Sequence, residues 1–200
     1  MRWWFRARRA HTLLAAALAV FILTVAVLQD AAVGLPSFLH GSADPVLLLL
    51  MAPVPLCATL MFSLESRLTE GESTGVRRVA VLDAGLVLST VALAVVAASF
   101  LGLALDADAA PAAGRNVAFL AGLMLCTRAF IGPPAVMAPV AWIFAVIFLG
   151  LRGGGRAEFW TVLPASAADV HAFFAAGAAL TVGTALHILR PGSPTRIRLH

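Results

Sequence analysis

The residues able to do chemistry in this chain are few, and the largest group of them stands in one place. The stretch Leu64 to Asp83, reading LESRLTEGESTGVRRVAVLD, carries Glu65, Arg67, Glu70, Glu72, Arg77, Arg78 and Asp83 between two long apolar runs. Elsewhere the reactive side chains are scattered. His11, His40, His171, His187 and His200 show no His-x-x-x-His spacing, and Cys57 and Cys126 form no Cys-x-x-Cys pair, so a zinc site has no signature. Both cysteines fall inside apolar runs, which suits small buried hydrophobes better than a disulfide or a nucleophile. Ser89, Ser99 and Ser166 lack the Gly-x-Ser-x-Gly setting of a hydrolase nucleophile. No catalytic residue and no metal ligand set is expected. A membrane enzyme whose site assembles from distant helices stays open as an alternative, because composition does not decide function.

The elements that must position these residues follow from composition. Of the 200 residues 61% are hydrophobic and 12% charged, against about 25% charged in a soluble domain. This is the make-up of an integral membrane protein, and a membrane crossing needs about 20 apolar residues. Six apolar segments stand out, at residues 12–29, 45–64, 79–105, 116–131, 135–151 and 170–189. In hydrocarbon every backbone amide must be satisfied within its segment, so these runs imply an all-α bundle of six transmembrane helices forming one domain over residues 1–200. The first run follows Arg2, Arg6, Arg8 and Arg9 as a secretory signal would, but its apolar stretch is longer than a typical signal core and further spans follow, so it reads as a retained helix. Residues 116–151 permit two short helices or a re-entrant pair, and Pro133–Pro134 demands a tight turn between them.

Charge sets the orientation. All 14 basic side chains are arginines, and an inside amino terminus puts eleven of them on one side and leaves only Arg115, Arg152 and Arg156 on the other. This split follows the positive-inside rule and makes both termini cytoplasmic. The basic balance then reflects topology and anionic lipid headgroups, not nucleic-acid binding. At the amino terminus, Trp3 and Trp4 interleave with Arg2, Arg6 and Arg9 in a pattern that fits an amphipathic elbow lying in the membrane interface. A positive flank that merely orients the first helix is the alternative.

The charged stretch is now the cytoplasmic loop between helices two and three. It is longer than the about 2–8 residues that joining antiparallel helices requires, and its acids Glu65, Glu70 and Glu72 precede Arg77 and Arg78, as complementing a helix dipole would ask. A plain solvated loop is the competing reading. On the far side, RGGGRAEFWTVLPASAADV begins with glycines and turns apolar at Phe159, Trp160, Val162, Leu163 and Pro164 before Ser166 and Asp169 offer capping oxygens. Such a segment should dip back against the membrane, with Trp160 at headgroup level. Asp83, Arg128 and His171 are the ionisable residues nearest membrane depth, each close enough to a helix end to snorkel or cap.

Elbow, six helices, charged loop, tight turn and aromatic dipping loop together resemble the type-2 permease family of ABC exporters. GRNVAFLAGLMLCTRAFIGPPAVMAPVAWIF is similar to small actinobacterial members, and LESRLTEGESTG loosely echoes the Glu-Arg then Gly-Thr pattern of the family's loop after helix two. The resemblance implies a permease subunit in the plasma membrane that moves a hydrophobic or amphipathic substrate. It binds no cofactor itself, while ATP and Mg belong to a separate cytoplasmic ATPase docking on Glu65, Arg67, Glu70, Glu72, Arg77 and Arg78. Without lysine, the sequence contains no Gly-x-x-x-x-Gly-Lys-Ser/Thr phosphate loop. A second permease subunit, identical or related, completes the path, and Ala175, Ala179 and Gly183 give a small-residue stripe suited to helix contact. The runner-up is the substrate-capture subunit of a vitamin importer, which could use Ala15 and Ala19 against its partner.

Overall fold

The computed structural model describes residues 10–28, 32–36, 43–65, 79–152 and 156–190, with side chains for 12–28, 48–65, 79–150 and 158–190. Six α-helices lie in these residues: α1 Ala10–Leu28, α2 Pro53–Glu65, α3 Val79–Leu105, α4 Ala110–Ile131, α5 Ala138–Leu149 and α6 Val170–Leu189. Short 3-10 turns, Leu48–Met51 and Pro133–Met137, lead into α2 and α5. Two small antiparallel ladders occupy connections, β1 Ala32–Pro36 with β2 Ala43–Leu47, and β3 Leu151–Arg152 with β4 Arg156–Ala157. The protein is therefore helical and membrane-like. Leu48–Glu65, Val79–Leu105 and Val170–Leu189 are long and apolar enough to cross a membrane, while Thr12–Leu28 and Pro133–Leu149 are apolar but shorter.

Proline and glycine explain most of the boundaries. The expected helix at 45–64 is shortened, because Pro45 lies in the β1–β2 ladder and the α-helix proper starts at Pro53. The first-turn amides of a helix have no intrahelical partner, so Pro53 and Pro55 cost nothing there. The α3 helix ends where Asp106 takes a left-handed φ of 53° and the Ala107 amide donates to Gly102 O at 3.0 Å, a Schellman-type closure. The α4 helix then starts at Ala110, with Pro111 in its first turn, six residues earlier than the 116 expected from hydropathy. The extra turn and a half keeps Arg115 and Asn116 inside the helix, where carbonyls from a later loop accept hydrogen bonds from both. The α4–α5 turn pivots on Gly132, with φ 71° and its amide donating to Arg128 O at 3.0 Å. Only glycine takes up such a conformation without strain, and the proline pair enters the 3-10 turn instead of a continuous helix.

The α4 helix lies at the centre, packed against α6, α3, α2 and α5. Its Val117, Leu120, Met124 and Leu125 join Phe21, Leu56, Leu60 and Ile143 in a continuous core. The α4–α6 crossing is close because both helices place glycine at the contact. A side chain on Gly122 would overlap the backbone of Ala179 and Leu180, and one on Gly183 would overlap Gly122 O. Close backbone approach through small residues is how helices associate without a hydrophobic driving force. The small-residue stripe thus does internal work at Ala179 and Gly183. The outer surfaces remain apolar, with Leu23, Val96, Phe100, Leu103, Phe173, Phe174 and Leu189 exposed. Helices apolar on all sides belong in a large core or in lipid.

Candidate functional site

Two polar centres sit on α4, thirteen residues apart, or about 20 Å at 1.5 Å per residue. At the first, Arg115 and Asn116 are both buried. Arg115 Nη1 donates to Ser166 O at 2.6 Å, and Nη2 reaches Ala165 O at 2.8 Å, Val162 O at 3.0 Å and Asn116 Oδ1 at 3.2 Å. Asn116 Nδ2 donates to Leu163 O at 3.0 Å. A guanidinium has five donors and no acceptor, so it can gather several carbonyls that a loop folded on the bundle would leave unpaired. The loop carries its own bracing as well. Thr161 Oγ1 donates to Glu158 O at 2.7 Å, and Asp169 caps α6 by accepting from the Ala172 amide at 2.9 Å.

The apolar part of this loop enters the core. Val162 and Leu163 are each 2% exposed. Trp160 is half-buried and meets Trp142 edge-on at 5.9 Å, and Trp142 in turn leans on Phe119 at 5.5 Å. Pro164 is half-buried beside them. Phe159 is the exception to the expected packing, since it points away and is 84% exposed.

At the second centre the ends of three helices meet. Glu65 closes α2, Arg128 stands one turn before the end of α4, and His187 lies in the last turn of α6. Arg128 Nε and Nη2 both donate to Glu65 Oε1, at 3.0 and 2.7 Å, while Nη1 lies 3.0 Å from His187 Nδ1. Arg128 is 8% exposed on its side chain against 36% for Glu65. It therefore turns into the bundle, contrary to the snorkelling or capping position expected of it. Beyond it, the Arg190 guanidinium lies 5.7 Å above the Phe130 ring.

Sequence reasoning singled out Glu65 and Arg128 separately, and the fold joins them. The roles of His187 and Asn116 went unseen, because one polar residue in an apolar helix does not say which neighbour will answer it. The adjacency of Arg115 and Asn116 inside an apolar segment was the available signal. Of the other residues near membrane depth, Asp83 is fully buried and His171 lies on the surface. The expected elbow residues Arg2, Trp3, Trp4, Arg6 and Arg9 lie outside the described residues, as do Arg67, Glu70, Glu72, Arg77 and Arg78 of the charged loop. Among the described residues no group of three or more His, Cys, Asp or Glu side chains could hold a metal ion, and Cys57 and Cys126 are free thiols.

Comparison with known proteins finds no matching family model, curated protein or solved structure.

Proposed function

We propose that this chain is the membrane-spanning permease subunit of an ABC-type exporter, working with a separate cytoplasmic ATPase and a second permease subunit in the plasma membrane. Six helices cross, both termini are cytoplasmic, and residues 66–78 form the surface on which the ATPase acts. The observation that carries this reading is the pairing of Glu65 with Arg128. The charged loop leaves α2 directly at Glu65, and Glu65 is bonded to the most enclosed helix of the bundle. A displacement of the loop would reach α4 through a charge-assisted contact, which is stronger than a neutral one. The α4 helix carries that displacement to Arg115 and the loop it holds on the opposite side. The ion pair fixes the end of α2 from which the loop departs.

The shorter helices fit the same reading. Thr12–Leu28 and Pro133–Leu149 have 17 residues each, about 26 Å of helix in a hydrocarbon layer of about 30 Å. The two arginines of α4 have internal hydrogen-bond partners, as a lipid environment demands of buried polar groups. The test is purification of the tagged chain in mild detergent with mass-spectrometric identification of its companions. An ATPase chain should be recovered in about equal amount, and a chain that purifies alone while remaining active as a carrier would refute the proposal.

The vitamin-importer reading retains one favourable observation, because Ala15 and Ala19 are both exposed on α1 and leave a small-residue face open for a partner helix. Recovery of a large membrane partner together with two different ATPases would favour it.

A further inference from the structure

A groove of about 500 Å³ opens on the flank of the bundle between α1, α2 and the 3-10 turn before α5. Among the described residues, Leu13, Met61, Phe62 and Val136 supply apolar walls, while Thr59 and Glu65 bring polar atoms. Its volume falls within the range of small-molecule sites, about 300–1,000 Å³.

The polar groups share one property: both accept. The Thr59 hydroxyl donates to Pro55 O at 2.8 Å, so its hydrogen is used within the helix and its lone pairs remain. Glu65 is more informative. Guanidinium and carboxylate commonly meet as two parallel forks that engage both oxygens. Here Arg128 directs Nε and Nη2 to Oε1 and turns Nη1 to His187 instead. Oε2 of Glu65 accepts no hydrogen bond from any described residue. With the Glu65 side chain 36% exposed, a charged donor competes with water for this oxygen better than a neutral one.

The geometry points to a lateral binding site for a single-chain amphiphile with a protonated amine head, its alkyl chain along Phe62 and Val136 and its ammonium on Glu65 Oε2. An ammonium brings three N–H donors and a positive charge to a groove whose polar groups among the described residues, Thr59 and Glu65, offer acceptors. A hydroxyl head supplies one donor and no charge. A sulfate or carboxylate head supplies neither. The site does not depend on the transport reading, since it requires binding alone.

The test uses the full chain in phosphatidylcholine nanodiscs with dodecylamine carrying a diazirine at the far end of its chain. Cross-links should map to peptides containing Phe62 and Val136, and unlabelled dodecylamine should compete at least about tenfold better than dodecanol, a difference of about 1.4 kcal/mol. Glu65→Gln should erase that preference. Because this change also touches the ion pair, Val136→Trp provides a second arm that fills the groove and leaves Glu65 and Arg128 in place, and it should abolish the specific labelling. Equal competition by dodecanol, labelling unchanged in Val136→Trp, or labelling spread over lipid-facing residues such as Val96 and Phe100 would overturn the assignment.

Discussion

The two arginines of α4 answer burial in different ways, and the difference predicts different mutants. Arg115 is met by neutral carbonyls of the loop, so its removal leaves acceptors unpaired at Val162, Ala165 and Ser166. Each such group costs about 1–3 kcal/mol when it stays buried. Arg115→Ala should therefore release the loop, seen as rapid proteolysis between residues 158 and 169 while the helices persist. Arg115→Lys should rescue only part of the protection, because an ammonium cannot fork across carbonyls on both sides. At the other centre the costs are unequal. Glu65→Ala strands a guanidinium that is 8% exposed, a loss in the about 3–5 kcal/mol class of broken buried pairs. Arg128→Met leaves a carboxylate that is 36% exposed and can hydrate in place, so it should cost markedly less. Thermal unfolding in detergent orders the two variants, and the double variant should be more stable than Glu65→Ala alone.

At the scale of elements, the bundle depends on how closely α4 and α6 approach. Gly122→Leu or Gly183→Leu would drive a side chain into the facing backbone. Overpacking of this kind costs about 1–3 kcal/mol or more, and the variant should elute as aggregate or show a lowered melting temperature, whereas Gly177→Ala, which meets nothing within 4 Å, should be tolerated. The dipping loop makes a second element-level prediction. With the other three tryptophans replaced by Phe, Trp160 should emit at short wavelength and resist iodide. Leu163→Ala should cost about 2–5 kcal/mol, and Phe159→Ser should change little. Much of this was legible beforehand. The α3 and α6 boundaries coincide with their apolar runs, Asp169 caps as its type suggests, and the proline pair marks a real turn. What could not be read was the start of α4, because hydropathy ends a helix at Arg115 while the fold pairs that residue with carbonyls nearly fifty positions away. The ion pair of Glu65 and Arg128, 63 residues apart, is hidden for the same reason, since contact across helices leaves no trace in local spacing.

For the whole molecule, orientation decides whether the account holds together. In a background lacking Cys57 and Cys126, a cysteine at Gly154 should react with a membrane-impermeant thiol reagent in intact cells, and one at Ser73 should react only after permeabilisation. The arginine distribution sets this expectation, and reversed labelling would move the charged loop away from the compartment that holds ATP. The most direct test of the central claim is replacement of Arg77 and Arg78 together by Ala. Exposed surface charges typically contribute about 0–1 kcal/mol, while losing one partner of a desolvated interfacial pair costs about 2–5 kcal/mol or more. The double variant should express and insert normally but lose the co-purifying ATPase, or retain it with ATP hydrolysis uncoupled from transport. Normal recovery of the ATPase together with normal transport would contradict the account and leave residues 66–78 as a connecting loop.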